Sequence, residues 1–192
     1  MEVLLINACV RKKSRTIKLA RKLAAKIGGN TTEVFLEKDR VNPLYGLPLV
    51  DREILLDAGE LWDDMFDNAR QFAEADVIIF AAPNWDLSFP AILKMYLESV
   101  NVWNIAFEHG EDGQIHGLCK AKKIFYVTTS SNYISTETYG YGYIRELAHT
   151  FWGVQDTQMV KAEWLDEKGA DPDQIMDAVI ARVDVSRLKK MK

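Results

Sequence analysis

Three short stretches carry residue types that could do chemistry together. The first is Asn7-Ala8-Cys9-Val10-Arg11-Lys12-Lys13-Ser14-Arg15-Thr16. Ser14, Arg15 and Thr16 stand at the start of a helix, because an apolar stripe follows at Ile17, Ala20, Leu23, Ala24 and Ile27. The first turn of a helix presents free backbone N–H groups and the positive end of its dipole, so it favours an anion. The hydroxyls of Ser14 and Thr16, with charge from Arg15 or Arg11, would suit a phosphate monoester. The equal alternative is that Ser14 only caps the helix and Arg15 is solvated.

The second stretch is Pro83-Asn84-Trp85-Asp86-Leu87, continuing to Ser88-Phe89-Pro90. Its backbone can meet the polar edge of a fused heterocycle while Trp85 and Leu87 flank the face. Trp85 could instead be a core aromatic, and Asp86 a turn residue. Ser88 and Pro90 read as an N-cap and an early helical residue. The third stretch, Thr129-Ser130-Ser131-Asn132-Tyr133, offers hydroxyls, an amide and an aromatic. Its plain alternative is a Ser/Asn turn. Each is ordinary alone; their shared placement, after strands that should be neighbours, raises all three.

Several familiar chemistries are missing. There is no GxGxxG or GxxxxGKS/T motif, which argues against a dinucleotide fingerprint or a nucleotide triphosphatase. No His/Cys/Asp/Glu cluster has metal spacing, so no metal is expected. No GxSxG elbow is present. His109, His116 and His149 have no obvious nucleophile to serve, and Cys9 reads as a buried small residue. The chain is therefore expected to borrow its reactivity from a cofactor, with no catalytic residue of its own.

The elements that must position these stretches alternate. Strands are expected at Val3–Ile6, Glu33–Leu36, Val77–Ala81, Lys122–Thr128 and Gln158–Ala162. Helical stripes run through residues 17–27, 61–73, 92–100, 143–152 and 175–183, the last opening with Asp171-Pro172-Asp173-Gln174. Gly28-Gly29 stops the first helix. Residues 38–59, with Pro43, Gly46, Pro48 and Gly59, read as a long irregular loop with at most a short turn of helix; residues 101–120 read as a second long connection. The βα alternation predicts a single α/β domain, 1–192, with the two segments as insertions. Five parallel strands favour the flavodoxin-like order 2-1-3-4-5 with helices on both faces. That order puts a switch point between strands one and three, beside the three stretches.

The chain has 192 residues, 48% of them hydrophobic, enough for a sizeable core. A formal charge of −4 without a long basic run speaks against nucleic acid as a partner. The short basic end, Arg187 to Lys192, reads as a solvated helix end. Two distant cysteines, an N-terminus without a basic n-region and no long apolar run predict a soluble cytoplasmic protein without a membrane span.

Taken in order, these stretches resemble the flavodoxin-fold NAD(P)H:quinone reductase and FMN-dependent NADH-azoreductase family, over nearly the whole chain. Asn7 to Arg11 with Ser14-Arg15-Thr16 is similar to its phosphate loop. Pro83-Asn84-Trp85-Asp86-Leu87, Pro90 and Leu93-Lys94 resemble its most specific signature. Gly117 to Lys123 resembles the lead into strand four, and Tyr143, Leu147 and Phe151-Trp152-Gly153 its following helix. The chain departs from the pattern at Ser131-Asn132, where a Gly-Gly pair is usual, and at Asn84-Trp85-Asp86, where Met-Tyr-Asn is frequent.

The resemblance implies non-covalent FMN, with NAD(P)H as hydride donor and a quinone, azo or nitro compound as acceptor in a ping-pong cycle. The cofactor residues it implies are Ser14, Arg15, Thr16, Pro83 to Leu87 and Thr129 to Tyr133. Trp85, Phe107 and His109 would meet substrate, the last two from the partner subunit of a homodimer. His109 is a proton-donor candidate or an exposed loop histidine. Trp62, Phe66, Trp103 and Phe107 offer more aromatic surface than one core needs, which fits such a partner. The alternatives are a flavodoxin-like electron carrier and a flavin-free interaction protein on the same fold.

Overall fold

Residues 1–39 and 41–190 are described by a computed structural model. Five parallel strands form its sheet: β1 (Glu2–Asn7), β2 (Asn30–Phe35), β3 (Val77–Ala81), β6 (Lys123–Thr129) and β7 (Thr157–Ala162), in the order β2-β1-β3-β6-β7. Setting aside the small hairpin of β4 (Phe107–His109) and β5 (Ile115–Gly117), this is the expected 2-1-3-4-5.

Continuous apolar runs make both faces of each central strand adhesive. Leu4, Ile6, Ile78, Phe80 and Tyr126 point to one side. There they meet Phe72 of α3 (Asp67–Glu74), Tyr96 of α4 (Ala91–Val100) and Trp152. Val3, Leu5, Ile79 and Phe125 point to the other, against Leu19 and Leu23 of α1 (Arg15–Ile27) and Met176 of α6 (Pro172–Arg182). The predicted stripe Ile17, Ala20, Leu23, Ala24 and Ile27 is buried throughout. Asp171 caps α6 by accepting from the N–H groups of Asp173 and Gln174.

Several expectations are corrected. Residues 38–59 are not one loop: α2 spans Leu47–Ala58, and Arg40 lies outside the described residues. The glycines and prolines read as loop signals delimit a helix instead. Pro48 sits in its first turn, where its missing N–H costs nothing, and Gly59 takes the left-handed conformation that closes its end (φ 72°). The stripe from residue 61 to 73 is not one helix. Asp63 caps a 3-10 turn at Asp64–Phe66 by accepting from Met65 N–H, and α3 starts only at Asp67. Ser88 does not cap α4; Pro90 occupies that position, while the Ser88 hydroxyl donates to the Tyr139 carbonyl at 2.6 Å. Phe66 is 1% exposed and belongs to the core, so it offers no partner surface.

Two irregular segments gain structure. The 101–120 connection folds into the β4–β5 hairpin, whose Gly117 lies against the backbone of Trp152 and Gly153. The helix beyond β6 starts early, with a π-helical turn at Thr138–Gly142, then α5 (Tyr143–Leu147), then a second π turn at Ala148–Trp152. The basic end includes a short α7 (Ser186–Lys189); Met191 and Lys192 lie outside the described residues.

Candidate functional site

The three stretches do converge. Ala8 N–H donates to the Ala81 carbonyl at 3.0 Å, joining the loop after β1 to the end of β3. Asn84 N–H reaches the Thr129 carbonyl at 3.4 Å, joining the loops after β3 and β6. Thr16 is buried and shares a 2.6 Å hydroxyl–hydroxyl bond with Thr129. Between them lies a cavity of about 420 Å³ at the C-terminal edge of the sheet. Ser14, Arg15, Thr16, Pro83, Asn84, Trp85, Thr129, Ser130 and Ser131 all face it. It sits at the β1/β3 switch point, where open α/β sheets bind ligands.

The anion end is built from α1. Ser14 occupies the N-cap position but makes no side-chain cap bond, so its hydroxyl is not spent on the helix. The positive side chains of Arg11, Lys13 and Arg15 line the cavity, and Asp166 supplies the one carboxylate among the described lining residues. Arg15 donates to Asp166 at 2.5 Å.

An Asn7 clamp holds the loop that leads there. Its side-chain oxygen accepts from Cys9 N–H at 3.0 Å, and its amide donates to Glu33 at 2.8 Å. Arg21 of α1 grips Glu33 through Nε and Nη2 at 2.9 and 2.8 Å. Burial pushes the Glu33 carboxyl up, but the bonds from Arg21 and Asn7 outweigh it and leave the carboxyl below its ordinary range. Cys9 faces the cavity, yet burial pushes its thiol up to about 11 against a bond with Ser14. It stays protonated at neutral pH and is no nucleophile.

The ring end is a tight reversal. Trp85 and Ser88 exchange backbone bonds at 3.0 and 2.8 Å. Asp86 and Leu87 between them both have positive φ, 49° and 69°. That is the geometry of a type I′ turn, in which Asp is comfortable and Leu is strained. Asp86 therefore sits at an exposed turn tip, outside the cavity lining. Leu87 is likewise outside the lining. Trp85 stays 37% exposed, with the Arg11 guanidinium 5.7 Å above its ring. In the third loop neither Ser131 nor Asn132 has positive φ, so the backbone takes a path that needs no Gly-Gly pair. Asn132 N–H donates to Ser130 Oγ at 3.2 Å, and Tyr133 stacks on Trp164 at 6.5 Å, outside the lining.

Phe107 and His109 are not brought to this cavity within the chain. Phe107 packs on Phe151 at 5.2 Å, and His109 lies 6.5 Å from Trp103, both on the hairpin side.

One wall escaped the sequence reading. Leu165 and Asp166, in the loop after β7, line the cavity, as does Lys13. Ser130 N–H donates to the Ala162 carbonyl at 3.0 Å, and Leu165 N–H to the Ser130 carbonyl at 3.4 Å, which seats that loop. The signal was present: the strand order places the loop after the fifth strand beside the third stretch, and Glu163-Trp164-Leu165-Asp166 follows that strand directly.

The donor set fits FMN. A hydroxyl that makes no cap bond and the N–H groups of the first turn of α1 suit a phosphate. Three cations against one carboxylate leave a surplus that matches a dianion. A partly exposed indole on the same lining, Trp85, offers apolar surface to a flat ring.

The family model described as flavodoxin-like fold matches residues 1–185. An FMN-dependent NADH:quinone oxidoreductase of Clostridium beijerinckii is 38% identical over 114 residues, 58% of this chain and 57% of that protein. A second from Clostridium acetobutylicum is 40% identical over 119 residues, 59% of this chain and 58% of that one. The matched segment thus spans less than two thirds of these relatives' own length. An azoreductase structure from Bacillus anthracis superposes with a TM-score of 0.79 at 20% identity, covering 99% of both chains. A Bacillus anthracis FMN-dependent NADH-azoreductase in complex with FMN gives 0.76 at 18% identity, covering 100% of this chain and 99% of that one. Sheet order, switch-point cavity and the match across residues 1–185 agree: the chain belongs to the flavodoxin-like fold family.

Proposed function

We propose that the protein is an FMN-dependent NAD(P)H oxidoreductase that reduces quinones, azo compounds or related aromatic acceptors. The observation that carries this reading is the single cavity with an anion end at α1 and an indole wall at Trp85. The names of the Clostridium relatives support it. Bound FMN would supply two-electron chemistry, accepting a hydride equivalent from a nicotinamide and passing electrons on to the acceptor in alternating half-reactions.

The chain's own residues bind and orient. The N–H groups of the first turn of α1, with Ser14, Lys13 and Arg11, hold the phosphate. Trp85 packs on the ring face, and the backbone of Pro83 to Trp85 and of Thr129 to Ser131 meets its polar edge. Asp86, at the turn tip, does not touch the ring; neither Asp86 nor a cysteine serves as acid or base.

A homodimer completes the site in this reading, with Phe107 and His109 of one subunit approaching the cavity of the other. Trp62 (84% exposed), Trp103 and the exposed stripe Leu47, Val50 and Ile54 of α2 support a partner surface. Cys9 and Cys119 are both free thiols, which supports a reducing, cytoplasmic location. No helix among the described residues is long and apolar enough to cross a membrane.

Purification followed by a visible spectrum and steady-state NAD(P)H consumption with a simple quinone tests the reading. Yellow protein that turns over supports it. Yellow protein that does not accept hydride from a nicotinamide points to an electron carrier, and colourless protein that ignores added FMN points to a flavin-free interaction protein.

A further inference from the structure

The carboxylate of Asp166 is out of character for an anion site. Arg11, Lys13 and Arg15 line the cavity, and Asp166 joins that lining from the loop after β7. It is seated there by design of the fold: Leu165 N–H donates to Ser130, and Trp164 just before it holds the uncommon φ of 62°. Its 2.5 Å bond to Arg15 spans from this loop to the first residue of α1. The pair is part-exposed, with side-chain exposures of 39% and 57%, so it adds little to stability. Its consequence is electrostatic and steric. It engages Arg15 and places a negative charge among the lining cations.

Charge on the lining then selects among flavins. Three cations less one carboxylate leave two positive charges, which balance a phosphate monoester near neutral pH. A phosphoanhydride differs in where its second charge lies. Its outer phosphate extends from the first, and with the first phosphate at the N-terminus of α1 the Arg15–Asp166 bridge stands close by, at the first residue of that helix. A second phosphate there would face the Asp166 carboxylate while Arg15 is already occupied, and like charges brought together are a strong device for rejecting the wrong ligand.

We propose that Asp166, bridged to Arg15, selects a terminal phosphate monoester over a phosphoanhydride, so that the site takes FMN and rejects FAD. This rests on the flavin reading above. The test is titration of the flavin-stripped full-length protein with FMN, FAD and riboflavin, followed by flavin fluorescence, for wild type and the variants Asp166→Asn, Asp166→Ala and Asp166→Glu. The ratio of FAD to FMN dissociation constants should fall by about tenfold or more in the Asn and Ala variants and stay at the wild-type value in the Glu variant. Riboflavin, without phosphate, should bind all four alike; a merely structural role for Asp166 would weaken all three flavins together. The wild-type preference should shrink as salt screens the carboxylate. An unchanged ratio in Asp166→Asn, or wild-type protein that binds FAD as tightly as FMN, overturns the inference and leaves the flavin reading intact. Wild-type protein that binds none of the three flavins overturns both.

Discussion

Ser14 shows how a residue can hold a helix-capping position without spending its side chain there. Its hydroxyl makes no cap bond and faces the cavity at the α1 terminus instead. An Asp in its place would cap α1 well and repel a phosphate. Ser14→Asp should therefore weaken FMN binding by roughly 30-fold to 150-fold, from a like-charge cost of about 2–3 kcal/mol, while the apo-protein melts no lower than wild type. Unchanged FMN affinity in fluorescence titrations would remove the anion-end assignment. Leu87 is the opposite case, a residue whose local cost is visible. It holds φ 69° while half-exposed, so it gains little from burial. Leu87→Gly, which suits the second central position of a type I′ turn, should stabilise the protein by about 0.5–1 kcal/mol and raise its melting temperature by roughly 1–4 °C in calorimetry. A lower melting temperature would show that Leu87 is held by packing. Asp86 and Leu87 also mark a boundary of legibility. Trp85 is readable as a wall because of what it is; that the next two residues lie outside the cavity lining goes with their paired positive φ values, which Asp-Leu does not advertise.

At the level of elements, polar clamps do work that burial does not. No residue of α2 is buried, and Arg52 pins it by donating to the carbonyls of Glu98 and Asn101 at the end of α4. That is why the segment carried no readable core stripe, and why its Pro and Gly residues passed for loop signals. Strands and helices with buried faces were legible, since burial writes a period into the sequence. The fourth cavity wall was missed for a related reason: Leu165 and Asp166 belong to no periodic pattern, and only the strand order brings them in.

The Asn7–Glu33–Arg21 clamp joins β1, β2 and α1 behind the anion loop. The folded Glu33 carboxyl lies below its unfolded value, so its contribution is full above the unfolded value of about 4.3 and fades as pH falls through the lower folded value. Glu33→Gln should cost about 1 kcal/mol in denaturant unfolding at neutral pH, and the gap to wild type should narrow as pH falls below the unfolded carboxyl value and close once the folded carboxyl is protonated. A gap that persists into acid would mean the carboxylate charge is not what the clamp uses. The hairpin is tied differently. A Cβ on Gly117 would overlap the backbone of Trp152 and Gly153, with no side chain that could yield. Gly117→Ala should therefore destabilise by about 3 kcal/mol or more, and hydrogen exchange should show Phe107–His109 and Ile115–Gly117 losing protection first.

For the whole molecule, one face of the sheet buries a heavier aromatic set, Phe72, Phe80, Tyr96 and Trp152, than the aliphatic face under α1 and α6. The exposed apolar residues cluster outside both. Leu47, Val50 and Ile54 stand on successive turns of α2, and Trp62 stands almost free of the chain, with the Arg70 guanidinium 5.4 Å from its ring. Paired replacements Ile54→Glu and Trp62→Glu remove none of the buried core, so the fold should survive. If these residues face a second copy, sedimentation should move from dimer to monomer; a dimer that persists would place the interface elsewhere.

The parallel sheet also has a consequence for how the protein comes into being. β1 is made first, yet it cannot pair on the cavity side until β3 exists, because Val3 lies against Val77 and Asn7 against Ala81. Each later strand closes another long loop before it gains a partner, an order that favours slow assembly. The loop after β7 is synthesised last of the four that surround the cavity. A growing chain released only as far as Thr129 would already own the helix terminus and the Trp85 turn, but nothing would stand opposite Arg15. A chain that stopped before Leu165 would lack the loop that carries Asp166, and the cavity would be open on the side where that residue meets Arg15.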